Sequence, residues 1–97
     1  MRYFARKVDR NQKAIIDALE AAGCTVQSLH TVGGGCPDLL VAFRGLWYVL
    51  EVKDGSKPPS AQKLTPDEVS WHGRFGWHAT VWTVRSVDEA LAAIEAI

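Results

Sequence analysis

Asp38-Leu39-Leu40-Val41-Ala42-Phe43, then Arg44-Gly45, then Leu46-Trp47-Tyr48-Val49-Leu50-Glu51-Val52-Lys53: two runs of aliphatic, aromatic and β-branched residues meet at a two-residue break. Such runs fit a pleated, half-buried surface, and a two-residue break containing Gly suits a hairpin turn. The turn then fixes the register. Phe43 pairs with Leu46, and counting back along both strands places Asp38 opposite Glu51. Side chains alternate along a strand, so Glu51 and Lys53 share a face. Two carboxylates and an ammonium are thereby expected at one strand end. Like charges directly opposed on a sheet repel, and the apolar neighbours Leu39, Leu40, Leu50 and Val52 deprive them of water. Lys53 neutralises part of that charge. A divalent cation would neutralise more, and hard carboxylate oxygens with positions left for water and phosphate suit Mg²⁺ or Mn²⁺. The alternative is an ordinary ion pair of Lys53 with Glu51 or Asp38. A Glu-x-Lys at a strand end is common, and only the coupling to Asp38 across the hairpin makes it specific.

The flanking segments complete an α/β pattern. Ile15, Ala18, Leu19 and Ala22 recur at helical spacing and Gly23 ends the run, predicting a helix from Arg10 to Ala22 whose start, Asp9 to Gln12, resembles a capping box. Thr25 to Leu29 reads as a short strand, and His30 to Pro37, with Gly33-Gly34-Gly35, as a loop. Asp54 to Leu64, broken by Pro58-Pro59, reads as a loop without regular structure. Thr65-Pro66-Asp67-Glu68 is a capping box with proline at the first helical position, opening a helix that runs to Phe75. Thr80 to Val84 reads as a fourth strand. Ser86 to Glu89 is a second capping box, before a final helix that docks through Leu91, Ala92, Ile94 and Ile97. Helix, three strands, helix, strand, helix predicts one mixed sheet flanked by helices.

Ninety-seven residues make one domain, and residues 1–8 form a basic arm carrying Arg2, Arg6 and Lys7. Eleven cations balance eleven carboxylic acids, which argues against coating nucleic acid by bulk charge but not against a nuclease whose acids hold a metal. No apolar run approaches the about 20 residues of a membrane span, and no signal-peptide pattern opens the chain, so a cytoplasmic protein is expected. Cys24 and Cys36 lack any zinc-site spacing and read as reduced thiols. Gly33-Gly34-Gly35 is followed by no Gly-Lys-Ser/Thr, so no nucleotide cofactor is expected.

Pro37-Asp38 followed by Glu51-x-Lys53 in this order of elements resembles the PD-(D/E)xK nuclease superfamily. More closely, Val32-Gly33-Gly34-Gly35-Cys36-Pro37-Asp38-Leu39-Leu40-Val41, Leu50-Glu51-Val52-Lys53-Asp54-Gly55 and Lys63-Leu64-Thr65-Pro66-Asp67-Glu68 resemble the small stand-alone VRR-NUC endonucleases, often found in phages and prophages. The resemblance spans roughly residues 9 to 90. It implies a restriction-endonuclease-like αβββαβ core with an added C-terminal helix, acting on DNA in a bacterial or phage-infected cell. It implies Asp38 and Glu51 as metal ligands, the Val52 carbonyl as a third, and Lys53 in catalysis. Family members often carry an acid on the first helix, where Gln12 or Asp9 is the candidate here, and a glutamine near the start of the second, where Glu68 stands. Asp9 and Glu68 also have capping roles. Arg6, Lys7, Arg10, Lys57 and Lys63 are candidate phosphate contacts; His72, one turn after Glu68, could face the substrate, although a surface histidine is the commoner case. The four tryptophans read as core or subunit interface. The sequence thus points to a Mg²⁺- or Mn²⁺-dependent DNA endonuclease, as a homodimer suited to branched DNA such as a Holliday junction. The competing reading is a DNA- or partner-binding module that retains the fold without catalysis.

Overall fold

The computed structural model describes residues 10–96, so Arg2, Arg6, Lys7, Asp9 and Ile97 lie outside the described residues. Helix α1 (Arg10–Ala21) is followed by β1 (Thr25–Ser28), β2 (Leu39–Phe43), β3 (Leu46–Val52), α2 (Pro66–Gly76), β4 (Trp82–Val84) and α3 (Val87–Ala93). Arg44 and Gly45 both take positive φ, 51° and 82°, as a two-residue turn matched to the strand twist requires. The register is the one the turn dictates, from Phe43 opposite Leu46 to Leu39 opposite Leu50. The strand order is β1-β2-β3-β4. The first two pairings are antiparallel, and β4 adds to β3 in parallel, after the crossover that contains α2.

One face of this sheet makes the core. Leu39, Val41 and Phe43 of β2, Leu50 and Val52 of β3 and Val84 of β4 meet Ile15 and Leu19 of α1, Ala90 of α3 and Ile94, which caps α3. The opposite face is different. Leu40, Ala42 and Val49 are only half-buried there, and Trp47 is 72% exposed. Helix α2 reaches the far end of that face, where β3 terminates, and buries none of its own residues completely.

Several expectations change. Pro59–Gln62 forms a short 3-10 helix inside the segment read as irregular. Prolines there gave a breaker signal, but proline at a first helical position costs no hydrogen bond and arrives with a suitable φ. Thr65 and Glu68 form the complete capping box. At Ser86 only half of one exists: the hydroxyl accepts from Glu89 N–H, whereas the Glu89 carboxylate turns to the N–H of Arg85. The docking face of α3 uses Ala90 rather than Ala92, which is exposed. No tryptophan joins the core.

Candidate active site

The site grows from the place where β2 and β3 stop pairing. Beyond Leu39, the Asp38 N–H donates to the Leu50 carbonyl at 3.0 Å and its carbonyl accepts from Leu29 at 2.8 Å. Asp38 is therefore tied into the sheet on both sides but does not occupy a ladder position facing Glu51, as simple extrapolation implied. Its carboxylate instead crosses the end of β3, where Oδ2 accepts the Val52 N–H at 2.7 Å. That placement leaves the Asp38 carboxylate as one of the neighbours that raise the Glu51 carboxyl.

Glu51 is 2% exposed. Burial pushes its carboxyl up to about 9, and the adjoining Asp38 and the Glu68 charge push the same way, against a smaller opposing effect of Lys53. The Cys36 thiol, at the end of the glycine loop, is also raised by burial and then by the negative charges of Glu51 and Asp38.

Helix α2 supplies partners to both β3 side chains. Lys53 Nζ donates to Glu68 Oε1 at 2.9 Å and stands 3.9 Å from Glu51 Oε2. The same Glu68 oxygen accepts the Thr65 N–H that completes the capping box. Glu68 thus holds both roles that its sequence position suggested. Burial pushes its carboxyl up, but Lys53, the Thr65 N–H and His72 together outweigh this and hold it below its ordinary value. One turn on, His72 Nε2 lies 3.2 Å from Glu51 Oε1, with its side chain 14% exposed. His72 therefore adjoins the candidate site and is not a surface histidine. Its four-residue spacing from Glu68 was the available signal, since both must lie on one helix face. Desolvation lowers its pKa, with the Lys53 charge in the same direction and Glu68 and Asp38 opposing.

Two backbone arrangements fix this geometry. Gly35, at φ +83°, lies against the backbone of Asp67 and Glu68 so closely that a Cβ could not fit. The glycine loop thereby seats the start of α2 beside Asp38. On the other side, Asn11 Nδ2 of α1 donates to the Lys53 carbonyl at 2.8 Å and to the Arg85 carbonyl at 3.4 Å, joining the ends of β3 and β4. Gly55 N–H donates to that same Arg85 carbonyl. Nothing in the sequence announces Asn11, because its partners are backbone atoms of distant strands.

The remaining candidates are spread more widely. Gln12 is buried in α1, one of two buried polar side chains, with Glu51, among the described residues. Lys57 and Lys63 are exposed on the segment after Lys53. Arg10 lines a cavity of about 630 Å³ with Asn11, Asp54, Ser56, Arg85 and Glu89. Arg85 is a cation that sequence reasoning passed over. Its Nε donates to Gln62 Oε1 at 3.0 Å. Among the described residues, no three His, Cys, Asp or Glu side chains are grouped to enclose a metal on their own, and no helix is long and apolar enough to cross a membrane.

No family model matches the sequence, and no curated protein matches it. A solved structure described as a VRR_NUC domain does match. It is 34% identical, superposes with a TM-score of 0.65, and the alignment covers 89% of this chain and 91% of that one. The fold is shared over nearly the whole of both chains at that identity. The chain belongs to the VRR-NUC family of nuclease domains.

Proposed function

We propose that the chain is a divalent-metal-dependent endonuclease that hydrolyses phosphodiester bonds in DNA. Asp38 and Glu51 would hold Mg²⁺ or Mn²⁺, with the Val52 carbonyl as a third oxygen, and Lys53 would face the reacting phosphate. One observation carries this reading: Glu51 is 2% exposed at the strand end where the Asp38 carboxylate accepts the Val52 N–H, and burial with that neighbouring acid drives its carboxyl up. Ionising both carboxylates at neutral pH needs a positive charge that Lys53, shared with Glu68, supplies only in part. A hard divalent cation fits that deficit. Two carboxylates suffice for Mg²⁺, which keeps several waters and is completed by substrate phosphate rather than by a protein cage.

When bound, such an ion activates water and stabilises charge building on phosphorus. The chain's own residues would do the rest. The Val52 N–H fixes the Asp38 carboxylate on its Oδ2 edge. Glu68 holds the Lys53 ammonium in place, so that it can steady the developing phosphate charge without reorganising. Lys57, Lys63 and Arg10, with Arg6 and Lys7 of the arm, would track the flanking phosphates, so DNA binding should weaken steeply with added salt. In this reading the protein works as a homodimer on branched DNA, because cutting a symmetric junction calls for two sites related by a two-fold axis.

Incubation of linear, nicked and four-way DNA with the protein, with and without Mg²⁺ or Mn²⁺, tests the proposal. Metal-dependent cleavage is expected, highest on the four-way substrate. Lys53→Ala should lower it on the order of a hundredfold while metal still binds. Cleavage that persists in EDTA, or that Lys53→Ala leaves unchanged, rules this mechanism out.

A further inference from the structure

We propose that His72 is a positioning residue that holds the Glu51 carboxylate in its metal-receiving orientation, and that α2 serves the site as a two-point clamp through Glu68 and His72. This rests on the metal reading above and adds to it a residue outside the carboxylate-lysine motif.

The geometry points there first. Glu51 offers two oxygens. Oε2 faces Lys53 at 3.9 Å, beyond hydrogen-bond length, whereas Oε1 lies 3.2 Å from His72 Nε2. Of these two, the imidazole is the nearer partner, and it fixes how the carboxyl group is rotated. It is itself well shielded, at 14% exposure. A neutral imidazole can donate or accept through Nε2, according to tautomer, so one contact serves Glu51 in either protonation form.

The helix itself gives a second reason. No residue of α2 is fully buried, so apolar packing holds it only weakly to the sheet. What it delivers are two polar contacts four residues apart: Glu68 to Lys53 at 2.9 Å and His72 to Glu51 at 3.2 Å. Those spacings match because residues four apart on a helix and two apart on a strand both project to one side. Gly35 seats the first turn of the same helix against the loop that leads into Asp38. The three residues of the motif are in this way referred to one rigid element. Outer partners of metal-holding side chains act by fixing orientation, and their loss costs about 10- to 100-fold in metal affinity.

Titration calorimetry with Mn²⁺ alone, on wild type, His72→Ala and His72→Gln, tests the inference. His72→Ala should weaken the Mn²⁺ Kd by about tenfold or more, while the circular dichroism and the metal-free melting temperature stay at wild-type values, since alanine is a strong helix former. His72→Gln should recover most of the loss, because its amide can still donate to or accept from Glu51. Wild-type affinity in His72→Ala overturns the inference alone. So does failure of Gln to rescue, which would make His72 a direct ligand, or a loss of affinity that merely follows a fallen melting temperature. Wild-type protein that binds no Mn²⁺ overturns the metal reading, and this inference with it.

Discussion

Glu51 combines a charge-bearing group, a nearly complete absence of solvent and a second carboxylate alongside, and its protonation should show in the stability of the metal-free protein. Its folded-state pKa, about 9, lies above its ordinary 4.5. A raised carboxyl favours the folded state fully below the ordinary value, and that contribution is lost as pH rises toward the folded value. Melting in EDTA should therefore show wild type losing ground to Glu51→Gln as pH rises from about 5 to about 9. Saturating Mn²⁺ should restore wild type at the alkaline end and do nothing for Glu51→Gln. A gap that stays constant across the range would mean that Glu51 is ionised in the fold throughout. That Asp38, Glu51 and Lys53 gather at one strand end was legible because a two-residue turn propagates register along both strands. The detail of Asp38 was not, since its carboxylate is placed by one bond to Val52 N–H where the ladder has already ended. His72 was legible only as a spacing from Glu68 and Asn11 not at all, for a related reason: each meets its partners only when a helix is laid across strand ends remote in sequence.

Among the elements, α2 is the one whose placement the site depends on most. Its start was plain in Thr65-Pro66-Asp67-Glu68, and its box forms as written. Where the helix docks was not plain, because Gly35 read simply as part of a turn. Two glycines of that loop separate the effects. Gly34, at φ +66°, has open space where a Cβ would stand, whereas Gly35, at φ +83°, has the α2 backbone there. Gly34→Ala should cost about 1–2 kcal/mol, the strain of a left-handed alanine, and leave cleavage intact. Gly35→Ala should cost more than that in urea denaturation and should also depress cleavage and Mn²⁺ affinity, as α2 is levered off Glu51 and Lys53. Equal losses in both variants would show that Gly35 is needed only for its dihedral angle. The 3-10 turn at Pro59–Gln62 is a further lesson at this scale, for consecutive prolines forbid a continuing helix far more than they forbid a starting one.

For the molecule as a whole, the distribution of large apolar side chains decides how many chains act together. Trp77 is 84% exposed and Phe75 44%, with Trp71 stacked on Phe75 at 3.8 Å between ring centres. A second exposed pair, Leu46 and Trp47, sits at the hairpin end of β3. Aromatic surface gathered on a helix that buries none of its own residues is the composition of an interface core. The hairpin pair lies at the opposite end of β3 from Glu51, and two chains meeting there would hold their sites far apart. Association through α2 would instead bring the sites near one another, as coordinated cutting of a branched duplex demands. We therefore predict a homodimer joined through Phe75 and Trp77. Light scattering at micromolar concentration should give twice the 10.7 kDa of one chain. Trp77→Glu should halve that mass and convert paired cleavage of a four-way junction into single nicks, with Trp47→Glu dimeric and fully active. A single-chain mass for wild type, with cleavage linear in enzyme, would leave a nicking monomer whose exposed tryptophans serve something other than self-association.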